Sequence, residues 1–139
     1  MAASVQWFDP AQKIVYQHLT TGITYNDLLR NTTLIYDMIG SQPHRVDVVI
    51  ELECSMSELM SVGLFQFLQQ ANPLVAPNTG RLVVVGQTFM AQSLMPVARV
   101  IAPHIARRVY YEDSVVEAVY ALYQMNHDHL AIEPYRLHA

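Results

Sequence analysis

Three carboxylates crowd one short stretch of this chain. Glu51, Glu53 and Glu58 gather around the end of Val46-Asp47-Val48-Val49-Ile50-Glu51-Leu52, a nearly continuous β-branched run. If a strand persists past Leu52, Glu51 and Glu53 point to the same face, because side chains alternate along a strand. Two carboxylates held that close can share a proton or hold a cation. No His or Lys beside them in the sequence completes a constellation, so Glu51 is expected to be partly buried and hydrogen-bonded and Glu53 solvated. Cys54 follows directly. A thiolate nucleophile needs a base or a positive neighbour, and its neighbours are acidic, so a buried, inert cysteine is expected. His127-Asp128-His129 offers two imidazoles and a carboxylate, but alternate residues at a helix end diverge. The sequence therefore predicts no catalytic residue, no metal and no cofactor.

Apolar residues offer a different chemistry. Met56, Met60, Met90 and Met95, with Phe65, Phe67 and Phe89, flank the loops after the two most apolar strands. Methionine is flexible and polarisable, and surfaces rich in it adapt to varied partners or apolar ligands. Met56, Met60, Phe89, Met90 and Met95 are thus candidates to line a groove for a small lipid-like molecule; the competing reading is core filling. Gly86-Gln87-Thr88 lacks the repeated glycines and the lysine of a phosphate loop.

The elements that must position these groups are legible from periodicity. Ser4–Phe8 and Lys13–Leu19 read as two short strands around the turn Asp9-Pro10-Ala11-Gln12. Thr24 and Asp27 form a capping box, Ile23 can staple onto Leu28, and Leu28, Thr32, Ile35 and Ile39 recur at helical spacing until Gly40 and Pro43. Val46–Leu52 reads as a central strand covered on both faces. Ser55-Met56-Ser57-Glu58 is a second capping box, with Met60, Gly63, Leu64, Phe67, Leu68 and Ala71 predicted as one helical stripe behind it. Arg81–Gly86 is another buried strand, Thr88 a possible cap, and Phe89–Ala102 a helix in two pieces with Pro96 in the first turn of the second. Arg107–Tyr111 reads as the last strand, and Asp113 or Ser114 caps a helix that fades near Asn126. Alternation of this kind predicts an α/β fold: a single mixed, mostly parallel sheet of about five strands, an N-terminal antiparallel hairpin and about four helices. Residues 1–125 form one domain and 126–139 a tail.

Composition narrows the classes. The chain of 139 residues is 52% hydrophobic and only 14% charged, which suits one well-covered core rather than a disordered segment. A net charge of −4 and a single lysine, Lys13, leave no basic face to follow a nucleic-acid backbone. One cysteine excludes an internal disulfide. No apolar run approaches the ~20 residues of a membrane span, and the N-terminus lacks a signal pattern, so a cytoplasmic protein is expected. Low charge, eight tyrosines and an edge strand carrying Val5 and Trp7 predict a homodimer.

The order strand, acidic strand end, short loop, then Met60-Ser61-Val62-Gly63-Leu64 resembles the STAS domain shared by anti-sigma-factor antagonists and the cytoplasmic parts of sulfate transporters. In that family the segment runs strand, Asp-Leu, loop, Asp-Ser-Ser-Gly-Leu at a helix start, and its first serine is a phosphorylation switch. Glu51-Leu52 resembles the strand-end pair, Ser61 falls on the switch serine, and Gly63-Leu64 on Gly-Leu. Met60 stands in place of the Asp and Val62 in place of the second Ser, which makes the helix start more apolar. The Trp7 hairpin, Gly22–Asp27 and Val109–Ala118 resemble small stand-alone bacterial STAS-like proteins. The resemblance implies a non-enzymatic regulatory domain with a protein partner, a regulatory kinase or an anti-sigma-like protein. Its docking surface would comprise Glu53, Ser57, Glu58, Met60, Ser61, Val62 and Leu64, with Ser61 the phosphorylation candidate. The alternative is a carrier or sensor of a small apolar ligand.

Overall fold

The computed structural model describes residues 3–127. Among them five strands and seven helices alternate as β1 (Ala3–Trp7), β2 (Ile14–Leu19), α1 (Tyr25–Gly40), β3 (Val46–Leu52), α2 (Met56–Ser61), α3 (Leu64–Ala71), β4 (Thr79–Val85), α4 (Thr88–Ser93), α5 (Met95–Ile101), α6 (Pro103–Ala106), β5 (Val109–Glu112) and α7 (Val115–His127). The strands form one sheet in the order β1-β2-β3-β4-β5. β1 and β2 pair antiparallel as the N-terminal hairpin, and every later pair is parallel. This is the α/β architecture that the alternation predicts.

Local signals explain most boundaries. Asp9 closes the hairpin turn by accepting from the Lys13 and Ile14 N–H groups. The Thr24–Asp27 capping box opens α1 with both reciprocal bonds in place, and Ile23 and Leu28 are buried in one cluster, as a staple requires. Pro96 lies in the first turn of α5, and the Ser114 hydroxyl accepts from Glu117 N to cap α7.

Four expectations are corrected. The stripe from Met60 to Ala71 is two helices, because Gly63 adopts φ +98 between α2 and α3, a left-handed conformation that favours glycine and ends a helix. Ser55 caps α2, but the box is half made: Glu58 N donates to Ser55, while the Glu58 carboxylate turns away to accept from Gly22 N at 2.6 Å. Gln87, not Thr88, occupies the cap position of α4. Short turns such as α6, opened by Pro103, raise the helix number from about four to seven among the described residues.

The sheet carries different layers on its two faces. On one face Ile14, Val49, Val83 and Val85 pack against Ala118, Val119, Leu122 and Met125 of α7. On the other, Val15, Val46 and Val48 meet Ile39 of α1, while Leu19, Leu28, Met56 and Leu59 form a neighbouring cluster beneath α1 and α2. Strand alternation thus commits each residue of β2 and β3 to one layer or the other.

Candidate functional site

An apolar cavity of about 230 Å³ lies between the sheet and the helices of the α1 side. Its floor is made by Gln17 and Leu19 of β2, Val48, Ile50 and Leu52 of β3, Leu82 and Val84 of β4, and Val109 and Tyr111 of β5. Side chains of α1, α3 and α5, including Ile35, Phe67 and Ala98, form its walls. Close-packed interiors contain few voids larger than a water molecule, and an apolar void of ~150 Å³ already stays dry and accepts benzene. Five polar side chains, Gln17, Thr32, Tyr36, Thr79 and Tyr111, interrupt the lining. Gln17 is buried, and the Thr79 and Tyr111 hydroxyls are buried without a hydrogen-bond partner. Burial pushes the Tyr111 phenol above its ordinary pKa, with the Arg99 charge pulling the other way.

The predicted groove residues divide sharply. Met56, buried, and Met95, half-buried, line the cavity. Met60, Phe89 and Met90 are exposed and lie outside the lining; Phe89 is 81% exposed. For Met60 the break at Gly63 ends α2 there, so that α3 rather than a continued α2 lines the cavity, whereas Phe89 and Met90 lie on the exposed side of α4.

The predicted docking surface divides as well. Glu53, Ser57, Met60 and Ser61 are exposed, but Glu58 is held by Gly22, and Val62 and Leu64 pack against the α1-side core. Ser61 closes α2 rather than opening a helix, and its hydroxyl donates to the Glu58 carbonyl at 2.7 Å. The C-terminal end of a helix carries partial negative charge, so a phosphate on Ser61 would meet less favourable surroundings than one at a helix start.

Cys54 is fully buried, and burial first, then the Glu58 charge, pushes its thiol up. The burial is as the sequence predicts. Asp128 and His129 of the tail motif lie outside the described residues.

Glu51 and Glu53 are brought together with two residues that adjacency in the sequence does not suggest. In the parallel β2–β3 register Tyr16 stands opposite Val49 and His18 opposite Glu51. The Tyr16 hydroxyl donates to Glu51. The N–H groups of Glu53 and Cys54 both donate to the Leu19 carbonyl, extending the pairing past Leu52. His18 Nε2 consequently lies 2.7 Å from Glu53 Oε1. The Tyr16 and His18 rings stack with centroids 6.0 Å apart. Burial and then the Glu51 hydrogen bond raise the Tyr16 phenol well above the usual tyrosine value. These four side chains face away from the cavity, since Gln17, Leu19, Ile50 and Leu52 alternate with them into it. The alternation Tyr16-Gln17-His18 marks a strand face, but which carboxylates it meets depends on the register.

Comparison with family models, with curated proteins and with solved structures gave no match to this chain. Among the described residues no helix is long and apolar enough to cross a membrane.

Proposed function

We propose that this protein is a small non-enzymatic binding module that holds an apolar ligand between its sheet and the helices α1, α3 and α5. The partly open cavity of about 230 Å³ carries the reading, because its lining is almost wholly apolar and a ligand seated there removes that surface from water. The Tyr111 hydroxyl, in the β5 part of this lining and without a hydrogen-bond partner, suits a ligand that ends in one hydrogen-bonding oxygen. A medium-chain fatty acid or alcohol has that chemistry: an apolar body and one polar tip.

A second reading rests on the exposed apolar residues around the cavity rather than within it. Met60 on α2, Phe89 and Met90 on α4, and Val97 and Val100 on α5 are all exposed. With the STAS-like order of strand, acidic end and Gly-Leu helix start, this favours a regulatory protein partner that docks over α2 to α5. In that reading the protein acts in the cytoplasm, as a homodimer through its β1 edge, and phosphorylation of Ser61 alters docking.

Displacement of a fluorescent naphthylamine dye by decanoic acid tests the first reading. Saturable one-to-one binding is expected, with loss in Ala98→Phe, which fills the cavity wall, while circular dichroism remains unchanged. No saturable uptake, or equal uptake by a folded Ala98→Phe variant, would overturn it.

A further inference from the structure

We infer that His18, Glu51 and Glu53 form a binding site for a divalent transition-metal ion on the side of the sheet that faces away from the cavity. One donor atom from each of the three lies within 4.8 Å of the other two. Donors that share an ion at a metal–donor distance of about 2.1 Å stand about 3 to 4 Å apart. Side-chain rotation alone therefore converts the observed cluster into a coordination set. The backbone need not move, because parallel pairing of β2 and β3 fixes His18 opposite Glu51, and the Leu19 carbonyl holds Glu53 beside them.

A simple ion pair accounts for less of this geometry. His18 Nε2 and Glu53 Oε1 are 2.7 Å apart, yet the imidazole nitrogen, itself buried, is not aligned for a hydrogen bond. Glu51, oriented by the Tyr16 hydroxyl, brings a second carboxylate to the same point, and like charges so placed repel in the absence of a cation. A cation between the three side chains replaces the misaligned contact and offsets both carboxylates.

The surroundings have the character of a supporting shell. The Tyr16 hydroxyl donates to Glu51, which fixes the carboxylate orientation, and its ring stacks on the imidazole of His18. The Glu53 side chain is 56% exposed, so the site opens to solvent and water can complete the coordination. One imidazole nitrogen with two carboxylate oxygens suits zinc or manganese better than calcium or magnesium, which favour all-oxygen sets.

Calorimetric titration of the untagged, chelator-treated full chain with Zn²⁺ tests the assignment. One-to-one binding is expected, accompanied by a rise in thermal midpoint. His18→Ala and Glu53→Gln should each weaken binding by more than tenfold, and Tyr16→Phe by about 10- to 100-fold, the range for loss of a supporting hydrogen bond. The double variant His127→Ala/His129→Ala should bind as the wild type does. Circular dichroism of each variant verifies the fold. No saturable binding, undiminished binding by folded His18→Ala and Glu53→Gln, or loss in the His127/His129 variant alone would overturn the proposal.

Discussion

Gly80 lies against the Asp47 carboxylate with no room for a Cβ between them. Asp47 is buried in β3, where its Oδ1 accepts from Arg81 N at 2.7 Å and faces Arg45 Nε at 3.7 Å. The β3–β4 register shifts between Val46 and Val48, so the carboxylate replaces a regular ladder bond at that irregularity. Gly80→Ala should therefore displace Asp47 and cost about 1 to 3 kcal/mol, as other overpacked sites do. Thermal unfolding checks this: each kcal/mol lowers the midpoint by about 2 to 8 °C. An unchanged midpoint would show that β4 can shift away at no cost.

The same pair of strands shows what the sequence could and could not say. β-branched Val46–Leu52 announces a central strand, and its observed bounds agree with the reading. The Thr24 box and Pro96 are local signals, each acting within one turn, and each appears where expected. The pairing of His18 with Glu51 is non-local. It depends on register, which the hydrophobic pattern and the packing of whole layers determine. The cavity is hidden for a similar reason: Ile35, Phe67 and Ala98 look like ordinary core positions until three helices are set at their actual distance from the sheet. Met60 misled because glycine's left-handed option at Gly63 is available but not announced by residue type alone.

Cys54 supplies a prediction about reactivity. The side chain has no exposure, and its thiol is pushed up by burial and by Glu58, so it presents little thiolate at neutral pH. A maleimide should label the native protein more slowly than the unfolded chain by on the order of 10³-fold or more, if only global opening exposes it. Labelling within about tenfold of the unfolded rate would reveal a local opening of the β3–α2 loop.

Tyr111 predicts the alkaline limb of stability. Burial raises its pKa in the folded protein, so the native state holds the phenolic proton more tightly than the unfolded chain does. The resulting contribution is fully present below the ordinary tyrosine value near 10 and is lost as pH rises through the higher native value. Thermal midpoints should fall more steeply above about pH 10 in the wild type than in Tyr111→Phe. At neutral pH the variant should be at least as stable as the wild type, because the hydroxyl it removes has no partner. Parallel curves would show that Tyr111 reaches solvent in the native state.

Two methionines one helical turn apart separate the cavity from the surface beside it. Met56 opens α2, is 5% exposed and lines the cavity, whereas Met60 is 39% exposed and does not. Met56→Asp places a carboxylate in a buried apolar cluster, and an uncompensated buried charge costs about 3 to 5 kcal/mol. Met60→Asp places the same charge in solvent, in the last turn of α2, where the helix dipole opposes it by only about 0.3 to 1 kcal/mol. The first variant should lose much of its thermal stability. The second should fold with a midpoint only a few degrees lower, at about 2 to 8 °C per kcal/mol. Their binding should differ in the same direction: Met60→Asp keeps decanoic acid in the cavity but weakens any protein contact made through the exposed α2 surface. If Met60→Asp instead unfolds like Met56→Asp, Met60 belongs to the core. If it folds but loses decanoic acid, the ligand lies along the outside of α2 rather than beneath α1, α3 and α5.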